Sequence, residues 1–120
     1  VLDDIAISTD KIKLGQILNN LLTNALKFGY PNTCIGINCQ VEGNGIELQI
    51  KNQGSGIHAD KIAILFMPYQ QLEGGYAGTG LGLYLSQLYA QALGGKITVQ
   101  SEREAVTVFT VYIPDCIVPQ

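Results

Sequence analysis

The chain has 120 residues, of which 47% are hydrophobic and 14% are charged, proportions that suit one globular domain with a single core. The net charge of -3 argues against nucleic acid as the main partner, because phosphate-binding proteins usually carry a basic surface. The three cysteines, Cys34, Cys39 and Cys116, lack metal-type spacing and are expected to be reduced thiols. No apolar run approaches the roughly 20 residues of a membrane span, so we expect no membrane contact by this domain.

The first half of the chain predicts a short strand, a long helix and a hairpin. Residues 5–8 are typical of a short strand, and Thr9 or Asp10 is expected to cap the helix that follows. Six aliphatic residues then occur at helical spacing and predict one buried face: Leu14, Ile17, Leu18, Leu21, Leu22 and Ala25. The segment 29–32 ends this helix, and a turn at 42–45 joins predicted strands at 34–41 and 46–51.

The second half predicts a short helix at 58–65, a loop at 67–77 and a third helix at 79–93. The third helix is expected to direct four residues inward: Leu81, Tyr84, Leu85 and Leu88. The loop has little apolar periodicity, so we expect it to be the most mobile internal segment of the free domain. With final strands at 97–101 and 106–113, these elements predict an α/β (α+β) two-layer sandwich. Its mixed, mostly antiparallel sheet would be covered on one face by three helices.

Three polar residues lie along one side of the first predicted helix. Asn20, Asn24 and Lys27 are separated by four and three residues, which places them on successive turns. A carboxamide oxygen is a hard, neutral ligand that suits Mg²⁺, and a lysine supplies a point charge for a phosphate. Taken alone, the same spacing is more typical of a solvated polar face, so the segments downstream decide its meaning.

Two glycine-rich segments follow. In Ile50-Lys51-Asn52-Gln53-Gly54-Ser55-Gly56-Ile57, the two glycines would let the backbone approach a flat ligand closely. Gly78-Thr79-Gly80-Leu81-Gly82-Leu83 opens the third predicted helix, where backbone amides favour an anion. A flexible hinge explains such a glycine run equally well. A dinucleotide fingerprint is disfavoured, because no strand precedes the run in a βαβ unit.

In this order, residues 16–28 and the two glycine segments resemble the asparagine box and glycine boxes of the histidine-kinase ATP-binding domain. That domain belongs to the gyrase, Hsp90, histidine kinase and MutL superfamily, and the resemblance covers the chain from about Asp10 to Pro114. It implies the Bergerat-type ATP-binding fold. His58, the only histidine, lacks the acidic neighbour typical of a dimerisation helix, so the phosphoacceptor histidine is expected outside this chain.

The resemblance also implies which residues contact the ligands, ATP and Mg²⁺. Asn24 would be the Mg²⁺ ligand, Asn20 would support the metal site, Lys27 would touch phosphate, and Phe28 would lie against the adenine. The other implied cofactor-binding residues are Asn52, Gly54, Gly56, Ile57, Gly78, Thr79, Gly80, Leu81, Gly82 and Thr107. No catalytic residue is expected within the chain itself.

Three departures from the family pattern predict weaker nucleotide binding. Asn52 stands where the family has an aspartate that accepts a hydrogen bond from the adenine amino group, so charge assistance is lost. The loop at 67–77 contains no arginine or lysine to hold phosphates, and Glu104 and Val106 replace two glycines near the C-terminus. These departures keep an alternative open: a degenerate pseudo-kinase module with weak or no nucleotide binding, acting in regulation or scaffolding.

Asn20 distinguishes a phosphoryl donor from a hydrolase. Gyrase, Hsp90 and MutL resemble one another in placing a glutamate general base at this position, whereas an amide takes up no proton near neutral pH. We therefore expect the catalytic ATP-binding domain of a two-component sensor histidine kinase, excised from a longer protein and inactive alone.

The expected partners are the protein's own dimerisation and histidine-phosphotransfer domain and, indirectly, a response-regulator receiver domain. No nucleic acid is expected. The expected location of the domain is the cytoplasm, and the full-length protein could carry a membrane anchor.

Overall fold

The structure is a computed structural model that describes residues 5–68, 81–101 and 106–118. Within these ranges the helices are α1 (Lys11–Phe28), α2 (Ala59–Ile62) and α3 (Gly82–Ala92). The strands are β1 (Gly36–Glu42), β2 (Gly45–Gln53), β3 (Lys96–Ser101) and β4 (Val106–Ile113). None of these helices combines the length and the apolar character that a membrane crossing needs. Most of the loop predicted at 67–77 lies outside the described residues, as do Gly78, Thr79 and Gly80.

The four strands form one sheet in the order β1-β2-β4-β3. Every pairing between them is antiparallel, and the register sets Ile46 opposite Ile113 and Ile50 opposite Phe109. These residues are almost fully buried and belong to the core beneath the helices. The prediction of a two-layer α/β sandwich is confirmed, and over the described strands the sheet is antiparallel throughout.

The strand predicted at 5–8 is reduced to a single bridge. Ile7 pairs with Ile117, and the amide of Ser8 donates to the carbonyl of Cys116 at 2.7 Å. Asp115 has a φ of 54°, in the left-handed region. This turn separates the bridge from the end of β4, so the pairing remains local.

Helix α1 begins at the predicted cap. A carboxylate oxygen of Asp10 accepts hydrogen bonds from the amides of Ile12 and Lys13 at 3.0 and 3.1 Å, which satisfies two donors of the first turn. The predicted apolar face is confirmed at Ile17 and Leu21, which are fully buried against the sheet. Its burial in the core fixes the orientation of α1 and therefore of the polar residues beside that face.

Helix α3 buries a different face from the predicted one. Ser86 and Ala90 are its fully buried residues, whereas Leu88 is 43% exposed. The reason is that α3 packs against α1 as well as the sheet, and Asn20 of α1 donates to the hydroxyl of Ser86 at 3.0 Å. A small side chain at this contact lets the two helices approach each other.

Candidate functional site

The buried face of the sheet changes from apolar to polar at one end. Along this face β2 presents Ile46, Leu48, Ile50 and then Asn52, and β4 presents their partners Ile113, Val111, Phe109 and Thr107. Asn52 is 7% exposed and Thr107 is 5% exposed, so both are as buried as the apolar residues before them. Ser101 of β3 pairs with Thr107 and extends the polar row across a third strand.

A pocket with about 590 Å³ of empty space, part of which opens to solvent, lies at this polar end. The lining residues come from α1, β2, β4, α2 and the segment before α2: Asn24, Phe28, Asn52, Ser55, Gly56, Ile57, His58, Lys61, Thr107 and Phe109. These described lining residues include a lysine and no carboxylate, so the pocket favours an anion.

Six of the predicted site residues meet in this pocket: Asn24, Phe28, Asn52, Gly56, Ile57 and Thr107. Lys27 is exposed on the last turn of α1, outside the lining, where a cation suits the helix C-terminus. Asn20, Gly54, Leu81 and Gly82 also lie outside the lining. The structure thus brings one part of the predicted set together, and the role of each residue toward a ligand stays a prediction.

The end of α1 is joined directly to the end of β2. Gly29 and Gly54 form an antiparallel bridge, and the amide of Tyr30 donates to the carbonyl of Gln53 at 2.7 Å. A Cβ at Gly54 would collide with the carbonyl oxygen of Phe28. Gly54 therefore permits a close approach between two segments of the protein's own backbone, which places α1 beside Asn52.

A pair of hydroxyl groups holds the segment that follows β2. The amide of Ile57 donates to Oγ of Ser101 at 2.8 Å, and Oγ of Ser101 lies 2.7 Å from Oγ1 of Thr107. Gly56 has a φ of 79°, which turns the chain toward these hydroxyls at little steric cost. Because either hydroxyl of the pair can donate, Thr107 can present either a donor or an acceptor to the pocket.

The amide of Asn52 faces the pocket. It makes no hydrogen bond to any described residue, although only 7% of the residue is exposed. Every fully enclosed side-chain nitrogen or oxygen in the described part of the chain has a partner, so the amide of Asn52 is open to the pocket space. A ligand in the pocket can therefore pair with this amide directly.

Asn20 connects α1 to the start of α3. Its Nδ2 donates to the carbonyl of Gly82 at 3.2 Å and to the hydroxyl of Ser86 at 3.0 Å. The Ser86 hydroxyl donates in turn to the carbonyl of Gly82 at 2.8 Å. These bonds fix the first turn of α3 one helical turn along α1 from Asn24, which brings the positive end of the α3 dipole near that residue.

Four lining residues were not predicted: Ser55, His58, Lys61 and Phe109. The side chain of His58 is 49% exposed, and it caps α2 by accepting a hydrogen bond from the amide of Asp60 at 3.4 Å. Lys61 follows His58 by three residues, a spacing that places both on one side of a helix and could have indicated this wall. Phe109 meets Phe66 edge to face at 6.4 Å between ring centroids.

The fold and sequence match known proteins over most of the chain. The sequence model of the histidine kinase-, DNA gyrase B-, and HSP90-like ATPases matches residues 9–117. An uncharacterized sensor-like histidine kinase of Rhizobium meliloti is 37% identical over 112 residues, which are 90% of this chain and 21% of that protein. The sensor histidine kinase RcsC of Escherichia coli is 34% identical over 114 residues, 92% of this chain and 12% of that protein.

A solved structure agrees with these relatives. The catalytic domain of histidine kinase ThkA superposes with a TM-score of 0.78 at 29% identity, over 89% of this chain and 70% of that one. By contrast, the chain spans only about a fifth and an eighth of the lengths of the two curated relatives. From the family match over residues 9–117, this chain belongs to the histidine kinase-, DNA gyrase B- and HSP90-like ATPase family, and it is homologous to the catalytic domains of sensor histidine kinases.

Proposed function

We propose that this chain binds Mg²⁺-ATP in the pocket at the polar end of the sheet. Within a longer sensor kinase, it would present the γ-phosphoryl group to a histidine on a separate dimerisation domain. The observation that carries the proposal is the pocket wall, where the buried amide of Asn52 is left to pair with a ligand. Membership in a family of ATPases and homology to sensor histidine kinases support a nucleotide as that ligand.

The pocket has the two kinds of surface that a purine base needs. Phe28, Ile57 and Phe109 supply apolar surface for the flat faces of the ring. Asn52 and Thr107, which are cross-strand partners, supply hydrogen-bonding groups for its polar edge. An apolar wall with a few convergent polar groups is the usual construction of such a site.

Asn24 is the proposed Mg²⁺ ligand. The described residues contain no group of three His, Cys, Asp or Glu side chains that could enclose a metal ion. Mg²⁺ suits such a site, because it commonly keeps several waters and shares phosphate oxygens while the protein supplies one or two ligands. The half-buried Asn24 amide lines the pocket, and the bound ion would neutralise phosphate charge.

Positive groups for the phosphates come from two sides of the site. Lys61 lines the pocket, and the start of α3 is held near α1 by Asn20. Lys27, on the last turn of α1, is proposed from the family resemblance as a further phosphate contact. An ammonium group and a helix N-terminus both stabilise anions.

The chain's own contribution to phosphoryl transfer would be positioning and charge neutralisation. No general base is available at Asn20, whose amide already donates to Gly82 and Ser86. The acceptor histidine would lie on the dimerisation domain, with a receiver domain downstream. The isolated chain should therefore neither hydrolyse ATP efficiently nor label itself with radioactive phosphate. A pseudo-kinase without nucleotide binding is disfavoured by the formed pocket and its open polar groups.

Titration with ATP labelled by a fluorophore on the ribose, with and without Mg²⁺, tests the proposal. We expect saturable binding that Mg²⁺ strengthens and that Lys61→Gln weakens. Lys51→Gln is the matched control, because Lys51 lies exposed on β2 outside the lining. Absence of binding, or equal losses in both variants, would contradict the assigned pocket.

A further inference from the structure

We infer that this pocket accepts guanine nucleotides as well as adenine nucleotides, because its buried hydrogen-bonding groups can each donate or accept. The inference rests on the proposed nucleotide-binding function and concerns which base the pocket takes. Its structural basis is the cross-strand pair of Asn52 and Thr107, which are 7% and 5% exposed and both line the pocket.

The pair presents adjacent polar groups to one edge of a bound base. Directly opposed residues in an antiparallel sheet have Cβ atoms about 4.5–5.5 Å apart. The two side chains can therefore form hydrogen bonds with neighbouring atoms of the bound base. Adenine offers an amino donor at C6, whereas guanine offers a carbonyl acceptor there. A wall that discriminates between these bases must favour either donation or acceptance at this point.

Asn52 does not impose that choice. A carboxylate accepts hydrogen bonds only, so it would pair with the amino group of adenine and repel the carbonyl of guanine. A carboxamide carries both an acceptor oxygen and a donor NH₂, and rotation of its terminal torsion exchanges them. Asn52 can therefore accept from adenine in one orientation and donate to guanine in the other.

The surroundings of Asn52 leave both orientations open. Its amide makes no hydrogen bond within the described parts of the chain that would hold one orientation. Two glycines flank it, and a Cβ added at Gly54 or Gly29 would lie 3.3 or 3.7 Å from Nδ2. Backbone lies close to the amide on the side of these glycines, so its open side is the one that faces the pocket.

Thr107 can also either donate or accept a hydrogen bond, for a different reason. Its hydroxyl shares a 2.7 Å hydrogen bond with Ser101 in which either oxygen can be the donor. When Ser101 donates, Thr107 is able to donate to a ligand; when Thr107 donates, its oxygen still accepts. The described lining also contains no carboxylate, so no fixed negative charge opposes the guanine carbonyl.

Competition against ribose-labelled ATP, with unlabelled ATP, GTP and ITP, tests the inference. ITP shares the guanine carbonyl but lacks the 2-amino group, so it isolates the contact at C6. We expect GTP or ITP to compete within about tenfold of ATP for the wild type, since one neutral hydrogen bond is exchanged for another. In Asn52→Asp, GTP and ITP should weaken at least about tenfold relative to ATP.

Two further variants keep the result interpretable. Asn38→Asp makes the same chemical change at an exposed residue of β1, and the base preference should not move. Asn52→Leu removes both donor and acceptor and should weaken ATP and ITP by similar factors. Circular dichroism establishes that each variant is folded.

The inference is overturned if the wild type binds ATP more than a hundredfold tighter than both GTP and ITP. It is also overturned if Asn52→Asp leaves their ratio unchanged. If neither ATP nor any other nucleotide binds, the proposed function itself fails, and this result is distinct from selective binding of ATP.

Discussion

At the scale of single residues, the site depends on polar side chains left open toward the pocket. Asn52 is the clearest case, since its neutral amide occupies a nearly buried position on the base-binding wall. We expect Asn52→Asp to tighten ATP binding about fivefold, because a charge-assisted hydrogen bond exceeds a neutral one by roughly 1 kcal/mol. Calorimetry on both forms measures the change. If the wild type and Asn52→Asp bound ATP equally tightly, the neutral amide would not be weakening ATP binding.

A second prediction at the scale of single residues concerns Asn24. Its half-buried amide lines the pocket, and Asn24→Ala should abolish the Mg²⁺ dependence of nucleotide binding. The cost in folding free energy should stay within about 0.5 kcal/mol, since no core packing is lost. Titration of labelled ATP with and without Mg²⁺ provides the measurement. Asn19→Ala, on the exposed side of α1, should leave the Mg²⁺ effect intact.

At the scale of elements, the start of α1 depends on a titrating cap. The hydrogen bond from the Lys13 amide, followed by that from its side chain, lowers the pKa of Asp10 below the ordinary value of 3.8. A lowered folded-state pKa means that the carboxylate stabilises the fold fully above the unfolded value. That contribution disappears as the pH falls through the folded value.

Asp10→Ala should therefore lower the thermal unfolding midpoint near neutral pH, with the difference from wild type narrowing below pH 3.8. Asp10→Asn retains a neutral cap, so it should remove only the part of the stabilisation that depends on the carboxylate charge. Thermal melts followed by circular dichroism across this range decide the matter. If the difference in unfolding midpoint between Asp10→Ala and the wild type grew as the pH falls, the lowered pKa of Asp10 would be contradicted.

Two glycines offer opposite outcomes for one substitution. A Cβ at Gly54 would meet the carbonyl of Phe28, whereas a Cβ at Gly15, within α1, has nothing within 4 Å. Gly54→Ala should destabilise the domain by about 1–3 kcal/mol through overpacking. Gly15→Ala should stabilise it by up to about 1 kcal/mol through helix propensity. Urea denaturation of both variants tests the pair, and two changes of the same sign would refute it.

At the scale of the whole molecule, the helices cover only part of the sheet. Ile37 of β1 and Ile50 of β2 are cross-strand partners on the same sheet face, but they are 59% and 1% exposed. The helices pack over β2, β3 and β4 and leave β1 exposed along its length. Identical residues one strand apart therefore lie in very different environments.

Ile50→Ala should cost about 2–5 kcal/mol of unfolding free energy, because it removes core packing. Ile37→Ala should cost less than about 1 kcal/mol, since its side chain is largely in water already. Urea denaturation compares the two variants directly. Similar losses would show that β1 is covered more completely than the structure indicates.

Much of the fold was predictable because its signals are local. Helical spacing identified the buried face of α1, Asp10 was one of the two predicted caps, and the strand predicted at 106–113 coincides with β4. Helix α3 was harder, because Leu88 satisfies an amphipathic pattern that α3 does not use once Ser86 contacts α1. Tertiary contact between two helices overrides the hydrophobic pattern of either one.

The sequence by itself determined the family resemblance and six lining residues of the pocket, since short motifs keep their residues at fixed spacing. Only the tertiary structure decided that Asn52, Thr107 and Ser101 form one polar row, because strand register joins positions that are distant in the chain. It also decided that Gly54 serves a backbone contact with Phe28 and that His58 and Lys61 form a wall of the pocket. The physical reason is that side-chain alternation and helical spacing are set locally, whereas a pocket is defined by which elements pack together.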